Sequence, residues 1–288
     1  MSYQFVDTNK PIPENSLLPS EAMNFNGQYI EHLISGYRTL SVSGREGLNT
    51  SINAFKISGS VGKWVSNTTL PERILTIEYQ LKAKTPSELM GKWLQLNQIL
   101  GVNDYGIPSE NVEIFFYDDK EIVYYGMKSD MDEPPRGQLE VRSTFTIFCS
   151  DSIKYSKSKA SEVLWGSNTI DFQAHYKLGN TGVGAFDKQI TANTTIATYV
   201  EGRAVRPLIK LVGSGTNVVI TCNDKKITVG TFSNATITID VEMFVSYING
   251  VEKIIDMDDF WLMPSKNISI TGTGMNFKLT IDYQNAFI

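Results

Sequence analysis

The sequence predicts a mainly β protein of two domains, on three observations. Apolar and polar residues alternate with a period of two along most segments, the signature of half-buried strands. One stretch only carries helical spacing with clear start and stop signals. The second half is a succession of short β-branched runs separated by Gly and Asn turn signals, a pattern that favours a sandwich or jelly roll over an α/β fold. A chain of 288 residues has room for two such domains, each able to bury its own core without disulfides or metals.

In the first half, Gln28 to Ser35 reads as a strand with His32 as an ordinary member of it. Ile74 to Leu81 alternates cleanly, with Leu75, Ile77, Tyr79 and Leu81 on the core side. Thr85, Pro86 and Glu88 form an N-cap, first-position proline and capping-box glutamate. Leu89, Met90, Trp93, Leu96, Asn97 and Leu100 then follow at helical spacing, and Gly101 supplies the stop. This helix is expected to cover one face of a sheet. Val112 to Tyr117 and Glu121 to Met127 read as a hairpin turning at Asp118, Asp119 and Lys120, and Leu139 to Phe148 as a further long strand.

The pattern changes near residue 156, where the domain boundary is placed: residues 1–156 form one domain and 157–288 the other. Eight short strands are expected in the second: Leu208 to Val212, Val218 to Cys222, Lys226 to Val229, Ala235 to Val241, Met243 to Tyr247, Lys253 to Met257, Asn267 to Thr271 and Phe277 to Tyr283. Gly213-Ser214-Gly215, Asn223-Asp224, Asn249-Gly250 and Gly272-Thr273-Gly274 read as the turns between them, Asn249-Gly250 being the strongest hairpin signal in the chain.

Composition narrows the function classes. A net charge of −5 with no dense basic run argues against nucleic acid as a specific partner. No apolar stretch approaches the ~20 residues of a membrane span, and residues 1–26 lack the layout of a secretory signal, so synthesis in a cytoplasm without membrane insertion is expected. Cys149 and Cys222 sit in separate apolar runs, as buried reduced thiols do.

The chain offers little to catalysis. There are two histidines, His32 and His175, and neither accompanies a nucleophile motif. Two histidines and two distant cysteines do not assemble a zinc site. Asp118-Asp119 and Asp258-Asp259 are adjacent carboxylates in turns, and Asp256 to Asp259 lacks the glycine and terminal glutamate of a calcium loop. The glycine clusters lack the helix that a phosphate cradle requires. The expectation is no enzyme, no metal and no cofactor. Phe55 to Val65 stands out instead: it alternates, yet is rich in Gly and Ser, so it reads either as a ribbon laid on a neighbouring subunit or as a hairpin within its own domain.

Several blocks, taken in order, resemble the distal tail protein family of siphophages that infect Gram-positive bacteria. They are Ser35 to Glu46, Pro71 to Tyr79 ahead of the helix ending at Leu100, the 112–127 hairpin, Phe145 to Asp151, Arg206 to Lys210, Gly213 to Thr216, Thr236 to Asp240 and Asp259 to Asn267. Ser265 stands where that family usually has Gly. The resemblance implies an N-terminal split-barrel or β-sandwich with one α-helix and a C-terminal galectin-like jelly-roll sandwich. It also implies a hexameric ring of this chain in the virion tail tip, made and assembled in the host bacterial cytoplasm. Its partners would be the tail tube protein, the tail-associated hub or lysin protein, and receptor-binding or baseplate proteins. The candidate ring contacts are Arg38, Arg45, Phe55, Ile57, Trp64 and Val65. An alternative, a carbohydrate-binding adhesin for the host cell wall, draws on Trp165, Tyr176, Tyr199 and Trp261 as exposed aromatics.

Overall fold

A computed structural model describes residues 18–48, 50–101, 110–162, 187–197 and 199–288. The chain divides into two compact units, Met1–Lys154 together with Ile288, and Tyr155–Phe287.

In the first unit the elements run β1 (Met23–Phe25), β2 (Gln28–Tyr29), α1 (Ile30–Leu33), β3 (Tyr37–Ser43), β4 (Ser51–Phe55), β5 (Trp64–Thr69), β6 (Arg73–Lys82), α2 (Pro86–Gly101), β7 (Val112–Phe116), β8 (Asp119–Met131) and β9 (Glu140–Cys149). Seven of the strands form an antiparallel sheet in the order β2-β1-β7-β8-β9-β6-β3. β6 follows its alternation: Leu75, Ile77, Tyr79 and Leu81 are buried, and Ile74 on the other face is exposed. The helix α2 joins that core through Leu89, Leu96 and Leu100, with Trp93 and Ile99 at its margin. Burying each such side chain contributes about 1.5–3 kcal/mol.

The helix starts as its sequence announces. Thr85 Oγ1 accepts the Glu88 amide at 3.2 Å, while the Glu88 carboxylate accepts the Lys84 amide at 2.9 Å, one residue upstream of the reciprocal partner a capping box uses. Asn97, the polar break in the apolar stripe, accepts a hydrogen bond from Lys128 Nζ.

Two expectations for this unit are corrected. His32 lies in the single helical turn α1, not in a strand, because Ile30 and Ile34 are both buried and their four-residue separation matches a helical turn. The 112–127 hairpin turns at Tyr117-Asp118, since Phe116 pairs with Asp119. Asp119 and Lys120 therefore continue β8.

β3 is an edge strand, and its outward amides are all taken up locally. Tyr37 N–H donates to the Ile34 carbonyl at 3.1 Å, Thr39 N–H to Glu31 Oε1 at 3.0 Å, and Val42 N–H to Glu21 Oε2. A register shift between Thr39 and Ser41 keeps Thr39 and Val42 pointing to the same side. Two carboxylates and a carbonyl thus close an edge that another strand would otherwise extend.

The second unit follows from β10 (Lys154–Ser156), which spans the boundary along the chain. Its further strands are β11 (Lys188–Ile190), β12 (Thr194–Ala197), β13 (Leu208–Cys222), β14 (Lys225–Asp240), β15 (Val245–Ile248), β16 (Val251–Glu252), β17 (Asp256–Met257), β18 (Asn267–Asp282) and β19 (Ala286–Phe287). Here the expectation of eight short strands is overturned. Three pairs of them fuse into the long strands β13, β14 and β18, and the glycine clusters at 213–215 and 272–274 are mid-strand irregularities, not chain reversals. The reason lies in the register. Extra residues at the irregularities flip the alternation, so Ile209 and Leu211 share the buried side with Val218, Ile220 and Cys222.

The irregular line divides the sheet into halves with different edge strands. β12 and β17 pair with one half of β18 and β14, and β11 and β15 with the other. At Gly213 φ is +144°, and a Cβ there would lie 2.3 Å from the Asn276 carbonyl oxygen, so only glycine admits the approach of β18. The tight turns were read correctly: Asn223-Asp224 and Asn249-Gly250 both hold two consecutive positive φ angles, as a type I′ hairpin requires. The architecture is that of antiparallel β-sheet in both units, consistent with β-sandwich folding and one long helix.

Candidate interaction site

The segment singled out for its alternation forms a two-stranded ribbon, β4 with β5, that pairs with no other strand among the described residues. It reaches further than the alternation alone indicates, from Ser51 to Thr69, and its centre is a turn in place of continuous strand. Ser60 donates both its amide and its hydroxyl to the Ile57 carbonyl, at 3.1 and 2.8 Å, and Gly59 and Gly62 hold the positive φ that this reversal demands.

Every residue of β4 and β5 is exposed. Phe55 and Trp64 face each other across the ladder, 54% and 59% exposed, and Ile52, Ile57, Val61, Val65 and Leu70 are uncovered as well. None belongs to the core cluster of the unit. Isolated two-stranded ribbons are marginal in water, and a cluster of uncovered apolar side chains on one marks an interaction site.

The base of the ribbon is built quite differently. Arg73, the first residue of β6, is fully buried and makes no ion pair with a carboxylate among the described residues. Its Nη1 donates to the carbonyls of Gly44, Arg45 and Glu46 at 2.8, 2.9 and 2.8 Å, and its Nε to the Ser152 carbonyl at 3.1 Å. Nη1 has two hydrogens for three acceptors, so one bond at least is shared. Residues 44–46 precede the ribbon and Arg73 follows it, so one guanidinium ties together the two ends of the excursion. Gly44 completes the clamp: at φ +90° its absent Cβ leaves room for the Ile74 carbonyl, which a Cβ would meet at 2.0 Å.

Arg45, expected at a ring contact, is committed to its own unit. It holds Asp118 through two 2.7 Å bonds and lies 4.9 Å over the Phe116 ring, while its carbonyl also accepts from Tyr124 Oη and Lys154 Nζ at 3.3 Å. These contacts fasten the loop before the ribbon to the β7–β8 turn. Arg38 is half-buried on β3, opposite Gln80. Phe55, Ile57, Trp64 and Val65 are the candidates that the structure brings together. The clamp at Arg73 escaped the sequence reading, because an arginine after Pro-Glu looks like a surface charge.

Of the aromatics assigned to carbohydrate, Trp165 and Tyr176 lie outside the described residues, as does His175. Tyr199 and Trp261 are half-buried. The Arg206 guanidinium stacks between Trp261 and Phe244, 4.3 and 4.8 Å from the ring centroids, and Asp259 Oδ1 accepts from both Arg206 Nη2 and Trp261 Nε1. One face of the indole is therefore already occupied.

Two of the adjacent carboxylates have structural partners, Asp118 being held by Arg45. Asp258 accepts the Lys226 amide at 3.0 Å. Among the described residues no three His, Cys, Asp or Glu side chains gather as a metal site would need, and no helix is long and apolar enough to cross a membrane. Both cysteines are buried and unpaired, and desolvation pushes the Cys149 thiol up to about 11 and raises that of Cys222.

Neither a protein-family model nor a curated protein matches this sequence. Solved structures do. The crystal structure of phage SPP1 Dit, described as a paradigm of hub adsorption apparatus in phages infecting Gram-positive bacteria, matches with a TM-score of 0.64 at 19% identity, covering 93% of this chain and 99% of that one. The phage P2 baseplate in its activated conformation with Ca matches at a TM-score of 0.38 and 8% identity, over 88% of this chain and 92% of that one. The similarity to Dit, which runs through both units, is one of fold; the baseplate score is too low to support any inference.

Proposed function

We propose that this chain is a structural component of a phage tail tip, in which copies of it close into a six-membered ring. In that reading the ring joins the tail tube to the tail-associated hub protein and supports the receptor-binding proteins. The observation that carries it is the β4–β5 ribbon: seven large apolar side chains between Ile52 and Leu70 are exposed and have no cover from their own core. A ribbon of one copy covered by the next is a head-to-tail contact, and such contacts close into rings when the rotation allows. The fold shared with Dit along almost the whole of both chains supports the same reading.

The role asks for no reactive group. Its demands are a stiff base and an adhesive extension, which the Arg73 clamp and the ribbon provide. The purified protein should therefore sediment, at rising concentration, toward a species of about 193 kDa, six times the 32.2 kDa chain, and appear as rings in negative stain. A strict monomer at every concentration, with no ring in virions either, overturns the reading.

A further inference from the structure

The β4–β5 register sorts the ribbon's residues onto two faces, because directly paired residues point the same way. Phe55 with Trp64, Asn53 with Asn67 and Ser51 with Thr69 share one face; Ala54 with Val65 and Ile52 with Thr68 share the other. Ser66 is the extra residue that keeps this sorting across the register shift. Both faces carry exposed apolar side chains: Phe55 and Trp64 on the first, Ile52 and Val65 on the second, each more than half exposed. The polar members of the first face satisfy one another, Asn53 Nδ2 donating to Asn67 Oδ1 at 2.7 Å.

A strand pair laid on a single surface alternates apolar and polar, with one face left for water. Apolar residues on both faces are the pattern of strands covered on both sides. The charges point to what covers them. Lys56 and Lys63 are the only charged residues between 51 and 70, and removing their +2 from the chain's −5 leaves −7 on the remainder. The ribbon is cationic and apolar; the body of another copy is acidic.

We infer that, in the assembly proposed above and resting on that reading, the ribbon enters a slot on a second copy of this chain that covers both of its faces at once, with Lys56 and Lys63 set against carboxylates of that copy. The outer edges of β4 and β5 pair with no other strand among the described residues, so the slot's walls can also add strands to them.

Three variants of the full chain separate the parts of this claim, each followed by sedimentation velocity and by thermal unfolding. Phe55→Thr with Trp64→Thr disarms one face; Ile52→Thr with Val65→Thr disarms the other; Lys56→Glu with Lys63→Glu reverses the charge. All residues involved are exposed, so the melting temperature stays that of the wild type. Each face variant alone should raise the concentration of half-assembly at least about tenfold, as loss of a buried apolar anchor does. Charge reversal should do the same, and it should abolish the weakening by salt expected of the wild type.

If only one face variant weakens assembly, the ribbon lies on one surface of its neighbour and the slot is refuted, the second face then belonging to a different tail protein. If neither does while rings still form, the ribbon is not the contact, yet the ring reading survives. If charge reversal changes nothing, the acidic partner surface is refuted. A wild type that never assembles overturns the slot and the ring together.

Discussion

Arg73 Nη1 donates to the Gly44 carbonyl at 2.8 Å, so the residue that ends the β4–β5 excursion is bonded to the loop that begins it. The same nitrogen holds Arg45 and Glu46 carbonyls, and the Arg73 ring of acceptors is entirely neutral backbone. A buried arginine of this kind is a structural post: removing it takes the donor away from four carbonyls in part-buried hydrogen bonds.

Arg73→Met should therefore destabilise the first unit by about 3 kcal/mol, and Arg73→Lys should fail to restore it, since a single ammonium cannot span Ser152 on one side and residues 44–46 on the other. Urea unfolding followed by tryptophan fluorescence measures this. A loss under about 0.5 kcal/mol for either variant would mean that the loop is held by the Arg45–Asp118 pair alone.

The ribbon should behave in the opposite way. Trp64 and Val65 touch no core, so Trp64→Ala with Val65→Ala should leave unfolding within about 0.5 kcal/mol of the wild type while assembly is weakened. Loss of folding in that double variant would return both residues to the stabilising part of the unit.

These two cases show what a sequence exposes and what it hides. The ribbon was legible because its alternation and its glycines are local facts, and the helix α2 because Thr85, Pro86 and Glu88 act within one turn. Asn249-Gly250 was legible for the same reason. The glycines at 213–215 were misread because a Gly-Ser-Gly run declares backbone freedom without saying whether the chain reverses or bulges. That choice is made by β14 and β18, tens of residues away, whose pairing continues through the irregularity. Arg73 was illegible because its partners are carbonyls, which every residue has.

The bulge reading has its own check. Gly213→Ala forces a Cβ to within 2.3 Å of the Asn276 oxygen at a φ that L-residues avoid, and it should cost the second unit about 2–3 kcal/mol. A turn at this position, open to solvent, would tolerate the methyl. Differential scanning calorimetry should show the loss in one transition only.

The two thiols should be inert in the folded chain. Cys149 is buried, with its thiol pushed up to about 11, and Cys222 is buried with its own raised, so at pH 8 neither holds much of the reactive thiolate. Iodoacetamide at that pH should label both only after urea is added. Rapid labelling of the native protein would contradict their burial.

Glu31 should give the first unit an unusual response to acid. Its carboxylate accepts the Thr39 amide on the sealed edge of β3, while its Oε2 is buried without a hydrogen-bond partner among the described residues. Burial raises its pKa, against smaller opposing contributions from the Thr39 hydrogen bonds and the neighbouring His32. A carboxyl whose folded pKa lies above its unfolded one binds its proton more tightly when folded. Its contribution is then fully present below the unfolded pKa and is lost as pH rises through the folded one. Glu31→Gln, which cannot ionise, removes that dependence. The stability of the wild type relative to Glu31→Gln should therefore improve as pH falls from 7 toward 4, measured by urea unfolding at each pH. A difference that stays constant, or that moves in the variant's favour on acidification, would show that the hydrogen bonds to the carboxylate outweigh its burial.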